Sequence, residues 1–340
     1  LESHTVKSIY KKYRWLLLAN LLTAYGMLIA FPIEGYGLYS IIFSTASILF
    51  SYVFTVYIWR DLNRLEIKST AHSWFKSAVF FNALSSIGAF ALSIMMIEKM
   101  IHQNWYLAAE YFYLHFQYNG WFFFGCMGLF TALISRFNIS KDALQKIFRL
   151  FLFASVPAYF LSTLWMPIPV WVYALVVIAA FAQVIAFIWL VYLIKQKWNE
   201  VNRNFSATAK CILGLSGSAL SIKLLLQLGS TIPAMSNLAF GFRPIVIGYL
   251  HLVLLGVITL FLVGYLFSKM HFKLTKIATA GVFIFAAAVI LNEMVLMVQG
   301  VAAISYHTIP YVNEMLLGTA LLLFTGALFM VFARQNNSQE

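Results

Sequence analysis

Two stretches of the chain carry the same three residues, Tyr113-Leu114-His115 and Tyr249-Leu250-His251, and each leads into a long apolar run. Gly120 follows the first imidazole by a turn or so, and Gly256 follows the second at the same offset. An ionisable side chain inside a bilayer is expensive to keep there and usually has a purpose. Two imidazoles at matched places on different spans form a donor set for one metal centre with two axial nitrogens, and haem iron is the first such centre to consider. The glycines would let a flat macrocycle approach the backbone, and Tyr111, Phe112, Tyr118 and Phe122 would pack its edge. Arg243, on the outer side of His251, and Lys223 are the cations at hand for the propionates.

Other polar residues fall near the same level. Counting from the expected outer ends of their spans at about 1.5 Å per residue, His115 lies about 9 Å deep, His251 about 12 Å, and Lys223 and Glu293 about 10 Å. Gln117, Asn119, Gln227, Asn292 and Gln299 are close to that layer. Plainer readings stand beside the cofactor. A membrane histidine also serves as a hydrogen bond between helices. Lys223 and Glu293 suit a buried ion pair, a proton-accessible site or a propionate contact. A retinal Schiff base on Lys223 is disfavoured, because three further spans follow and no Asp lies in that span. Met294 and Met297 beside Glu293 would suit a soft metal, although methionines here mostly fill space or face lipid. His102 and His307, with Glu98, Glu110 and Glu314 nearby, read as solvated outer-loop residues or as contacts for a metal or a partner. His4, His72 and His271 read as cytoplasmic surface residues.

The elements that must position these groups are helices. The chain has 340 residues, 62% hydrophobic and 10% charged, which implies repeated membrane spans. Ten are predicted, at 14–32, 38–59, 76–98, 109–135, 147–165, 170–195, 209–230, 243–267, 274–300 and 311–333. With no alternating strand pattern, every span must be helical to satisfy its own backbone. The expected architecture is an all-α polytopic helix bundle, residues 1–340 forming a single integral membrane domain. The net charge of +12 is distributed by side. Of the 23 Lys and Arg residues, only Lys99, Arg243 and Lys223 fall outside one set of loops; that set includes Arg60, Lys141, Arg203, Lys269, Lys273 and Arg334. The bias places both termini in the cytoplasm and argues against nucleic acid as the partner of the positive charge. The first span is expected to be retained, since basic residues precede it and no small-residue cleavage site follows it. A short surface helix is expected near Leu62, Leu65 and Ile67, and a turn-rich outer loop from Thr231 to Phe242. Cys126 and Cys211 are the only cysteines, and without a C-x-x-C-H they exclude covalent haem attachment, zinc ribbons and a disulfide framework. No P-loop, dinucleotide fingerprint, zinc protease motif or nucleophile elbow is present. His115 and His251 sit four spans apart on helices of the same direction, which suggests an internal repeat of four helices.

At Tyr113 to Trp121 and Tyr249 to Gly256 the chain resembles the haem-copper oxidase subunit I group, including its divergent NnrS-like relatives. The resemblance implies ligand helices in which a histidine near the outer face is followed by apolar residues and a glycine. It also implies a bacterial cytoplasmic (inner) membrane and a respiratory setting, with other membrane subunits or a periplasmic electron donor as partners. The departures are specific. Ten spans are expected here, not twelve, and the family's copper site needs three histidines, two of them adjacent, whereas no His-His pair occurs. No span holds two histidines. What remains is one low-spin haem b on His115 and His251, without an evident copper site. The expected function is electron transfer, or haem and nitrogen-oxide handling, by a protein that is not a self-sufficient enzyme. A transporter or channel whose outward cavity is lined by the polar layer is the alternative, as is a structural or assembly subunit.

Overall fold

A computed structural model describes residues 6–66, 68–100, 102–268 and 275–332. His4, Ile67, Lys269, His271, Lys273 and Arg334 lie outside the described residues. Every described regular element is helical. Among the described residues ten helical runs are long and apolar enough to cross a membrane, and the chain is an all-α, polytopic transmembrane protein. The runs coincide with the ten predicted segments. The third, fourth and fifth begin at Thr70, Gln103 and Lys141, ahead of the predicted 76, 109 and 147, because polar residues continue each helix beyond its apolar stretch. The chain divides into two compact units, Leu1–Gly128 and Leu129–Glu340.

The first unit starts with a helical hairpin, α1 (Val6–Glu34) and α2 (Leu38–Arg64). The turn between them uses Gly35 at φ +60°, and the Glu34 carboxylate accepts from the Ser40 amide at 2.7 Å. α2 runs straight to Arg64, Leu65 is extended, and α3 (Thr70–Ile97) starts soon after, so the expected surface helix near Leu62 and Leu65 is the last turn of α2 instead. His72 is not a loose surface group; its Nδ1 accepts from the Ser69 amide at 3.0 Å and closes the first turn of α3. α4 (Gln103–His115) packs along α3, where a Cβ on Gly88 would lie 2.5 Å from the Ala109 carbonyl oxygen and 2.7 Å from the Tyr113 nitrogen. After α4 the chain takes one π-helical stretch, Phe116–Phe122, and resumes as α5 (Phe123–Ile134). Trp74, Phe81, Phe116 and Phe124 form the buried aromatic core, with Phe81 and Phe116 stacked at 5.5 Å.

The second unit takes the rest of α5 and a short 3-10 turn, then α6 (Lys141–Ser155), which Pro157 ends by forcing a 3-10 stretch to Thr163. α7 (Val170–Gln196) follows, then α8 (Trp198–Asn204), α9 (Ala207–Gly229), α10 (Pro233–Gly241) and α11 (Arg243–His251). α10 occupies the stretch expected to be an irregular outer loop. A second π-helical stretch, Leu252–Thr259, joins α11 to α12 (Leu260–Ser268). α13 (Lys276–Ile304) and α14 (Val312–Phe332) complete the unit. α6, α9 and α13 each start on a hydroxyl cap, Ser140, Ser206 and Thr275, which accepts the amide of Ala143, Ala209 and Ala278. Ile212, Leu260, Val282, Ala286 and Val289 make one buried cluster, and Ala158, Leu161, Val172 and Val176 another.

Lipid tails are as apolar as leucine, so helices in a membrane associate through close packing rather than burial from water. α13 and α14 meet on two glycines. A Cβ on Gly326 would lie 2.7 Å from the Phe285 nitrogen and 2.9 Å from the Gly281 carbonyl oxygen, backbone atoms that cannot step aside. Gly326→Leu is therefore expected to destabilise the protein by about 1–3 kcal/mol. Gly318→Leu, whose Cβ would meet nothing within 4 Å, should leave stability nearly unchanged. Thermal unfolding of the two variants in one detergent checks the contrast.

Candidate functional site

His115 is the last residue of α4 and His251 the last of α11, and each is followed immediately by a π-helical stretch. This shared feature has no counterpart in the residue pattern, because an inserted π turn is made by one extra residue rather than by a particular side chain. Such bulges are frequent at functional sites. Their carbonyls leave the regular ladder and need other donors. In the second unit Ser216 on α9 donates to the Val257 carbonyl at 2.8 Å, and Thr259 donates back to Leu254 at 2.7 Å.

His115 is buried, with its ring edge-on to Phe116. Its Nδ1 lies 3.4 Å from the Asn119 side-chain amide nitrogen, one turn ahead. The Asn119 Oδ1 is buried without a hydrogen-bond partner. As placed, the Asn119 amide donates to Nδ1; with the amide turned over, Oδ1 would instead accept from Nδ1–H. His251 is half-buried, and its Nδ1 lies 2.9 Å from the Ile247 carbonyl oxygen. A carbonyl only accepts, so Nδ1 carries the hydrogen. In both units the imidazole is thus held through Nδ1 by a group four residues away on its own helix.

Around His251 the second unit adds a polar chain. Thr319 on α14 donates to Asn292 Oδ1 at 3.2 Å, and Asn292 donates to Glu293 Oε1 at 3.4 Å. The Glu293 carboxylate lies within electrostatic reach of His251. Around the first π stretch, Gln117 donates to Asn82 at 3.0 Å and to Ser85 at 2.7 Å, and so ties that stretch to α3. The Gln117 amide, expected at the level of the imidazole, is thus committed to α3.

The remaining expected residues are distributed differently. Lys223 is buried on α9, a turn before the buried Gln227. Among the described residues the ion pairs are Lys12–Asp61, Lys146–Asp142 and Lys197–Glu200, and a Lys223–Glu293 pair is not among them. Arg243 is the exposed first residue of α11, at the opposite end of that nine-residue helix from His251. His102 precedes α4, and the exposed His307 bonds to its neighbouring Ser305 carbonyl. Among the described residues no three His, Cys, Asp or Glu side chains are grouped to hold a metal ion.

The glycines after the histidines are explained by helix packing. A Cβ on Gly120 would lie 2.6 Å from the Phe81 Cβ, and one on Gly256 would lie 3.1 Å from the Ala219 Cβ. Those faces are filled by neighbouring helices, so they do not leave room for a macrocycle. The expectation that Gly120 and Gly256 open the backbone to a cofactor is corrected accordingly. Gly125, later in the same span as His115, has nothing within 4 Å of its Cβ position.

No protein-family model matches the chain, and no curated protein matches it. The distinctive local chemistry of the second unit is the hydroxyl that supports its π stretch. Ser216→Ala is expected to lower stability by about 1 kcal/mol. Ser221→Ala, which removes only a bond within α9, is expected to cost less. The comparison is read as the difference in unfolding temperature in detergent.

Proposed function

We propose that this protein binds haem b through His115 and His251, one imidazole to each axial position, and serves electron transfer or haem and nitrogen-oxide handling. The observation that carries the reading is the matched local geometry. Each imidazole ends an α-helical segment at the mouth of a π stretch and is held through Nδ1 within its own helix. Ligating histidines are nearly always fixed in this way through the nitrogen that does not bind the metal. Two imidazoles are the donor chemistry that a haem iron takes in its axial positions, while the packed glycines contribute nothing to it. When bound, haem supplies a one-electron couple.

The side chains around it hold and orient. Asn119 sets the His115 ring, the Ile247 carbonyl sets the His251 ring, and Thr319 and Asn292 position Glu293 near the latter. Arg243 and Lys223 are the proposed propionate partners. The proposed setting is the bacterial cytoplasmic membrane, with other respiratory subunits or a periplasmic donor as partners; neither copper nor a self-sufficient catalytic centre is part of the proposal. A second reading, a transporter or channel, is favoured by one observation. The spans Gln103–Phe137 and Arg243–Ser268 both depart from regular α-helix midway, and transporters often place their binding sites at such departures.

Protein purified from haem-replete cells is expected to show a Soret band, with sharp α-bands on dithionite reduction. His115→Ala and His251→Ala should each abolish the low-spin spectrum. Gln117→Ala should retain it, since that amide is occupied by α3. A colourless wild-type preparation would remove the haem reading and leave the transporter.

A further inference from the structure

The haem reading leaves unused a cluster at the open end of the α1–α2 hairpin, where the first turns of α1 meet the last turns of α2. Lys12 Nζ lies 2.6 Å from both carboxylate oxygens of Asp61, and the Tyr13 hydroxyl donates to the same carboxylate at 2.6 Å. The one acid here is therefore fully engaged. Arg60 and Arg64 are exposed, stand one helical turn apart on the same side of α2, and belong to none of the ion pairs among the described residues. These groups, with Trp15 and Tyr57, line an open cleft of about 280 Å³. Three cations and one carboxylate line it, and Arg64 as well as Lys12 lies within electrostatic reach of that carboxylate.

The arrangement is graded along the helices. Trp15 comes a turn after Lys12 in α1, and Tyr57 comes a turn before Arg60 in α2, so both rings lie one turn further into the span than the cations. Lys12 Nζ is 5.5 Å from the centre of the Tyr57 ring. Trp and Tyr favour the level of lipid headgroups, and basic residues at the end of a span attract anionic lipid.

We infer that the cleft at the end of the α1–α2 hairpin binds the phosphate headgroup of an anionic phospholipid. Arg60 and Arg64 take the phosphate oxygens, and Trp15 and Tyr57 pack against the glycerol and the first methylenes. Asp61, held by Lys12 and Tyr13, is kept from repelling the phosphate. A free phosphate offers the same oxygens but has no use for an aromatic floor that is open to lipid on the Trp15 side, where that residue is 46% exposed.

The full-length protein is reconstituted in nanodiscs of phosphatidylcholine and phosphatidylglycerol in equal parts, and the lipids it retains are counted by native mass spectrometry. Wild type is expected to retain phosphatidylglycerol in preference to phosphatidylcholine. The Arg60→Gln/Arg64→Gln variant should weaken that retention roughly 30-fold, the combined effect of removing both cations. Lys146→Gln, which removes a surface cation of the second unit, should not change it. Inorganic phosphate is expected neither to bind measurably by calorimetry nor to displace the lipid. Equal retention of the two lipids by wild type overturns the inference without recourse to any variant. Displacement by inorganic phosphate, or undiminished retention by a folded double-glutamine variant, overturns it as well.

Discussion

Inside hydrocarbon a backbone hydrogen bond that is given up has to be replaced within the protein. The chain obeys this rule along most of its ten spans by remaining regular α-helix. Apart from the 3-10 turns at Ser135–Phe137 and Pro157–Thr163, it departs from α-helix at two π-helical stretches, Phe116–Phe122 and Leu252–Thr259, each directly after a histidine. The second departure visibly depends on help from another element, because Ser216 on α9 reaches across to the Val257 carbonyl. α9 must therefore stay in register with the run from α11 to α12, and Gly264 against Leu213 lets the two helices approach closely enough. The π turn, its hydroxyl donor and the close crossing form one unit of cause and consequence.

Close crossing also decides what the glycines are for. A matched offset between histidine and glycine reads naturally as space for a cofactor. In the structure the space at Gly120 belongs to Phe81, and that at Gly256 belongs to Ala219. The spacing was informative about which helix faces are packed. It was not informative about what packs there, since a phenyl ring, a methyl group and a macrocycle all require the same missing side chain.

The spans were legible because length and apolar content are one-dimensional properties, and the cost of exposing backbone to lipid permits little but helix. Their ends were less so. Thr70, Gln103 and Lys141 start helices before the predicted apolar stretches do, because helix formation continues into polar residues, with Ser69 and Ser140 capping the first and third. α8 and α10 were hidden for the same reason: a turn or two of helix at the membrane edge needs only local hydrogen bonds. The histidine pair was legible from a repeated tripeptide. Asn119, Ile247 and Ser216 were not, since a backbone carbonyl carries no residue signature and a hydroxyl on another span shows no sequence link to the carbonyl it serves.

The two imidazoles share a geometry but not an environment, and the difference has chemical weight. His115 contacts a neutral amide and has the Phe116 ring edge-on to it. His251 is set by a backbone carbonyl and has the Glu293 carboxylate within reach, itself tied to Asn292 and Thr319. A hydrogen bond from Nδ1–H to a good acceptor increases the electron density that Nε2 can donate, and a nearby carboxylate adds to the effect. The two rings therefore differ in what each Nδ1 contacts, although each stands at the head of a π stretch.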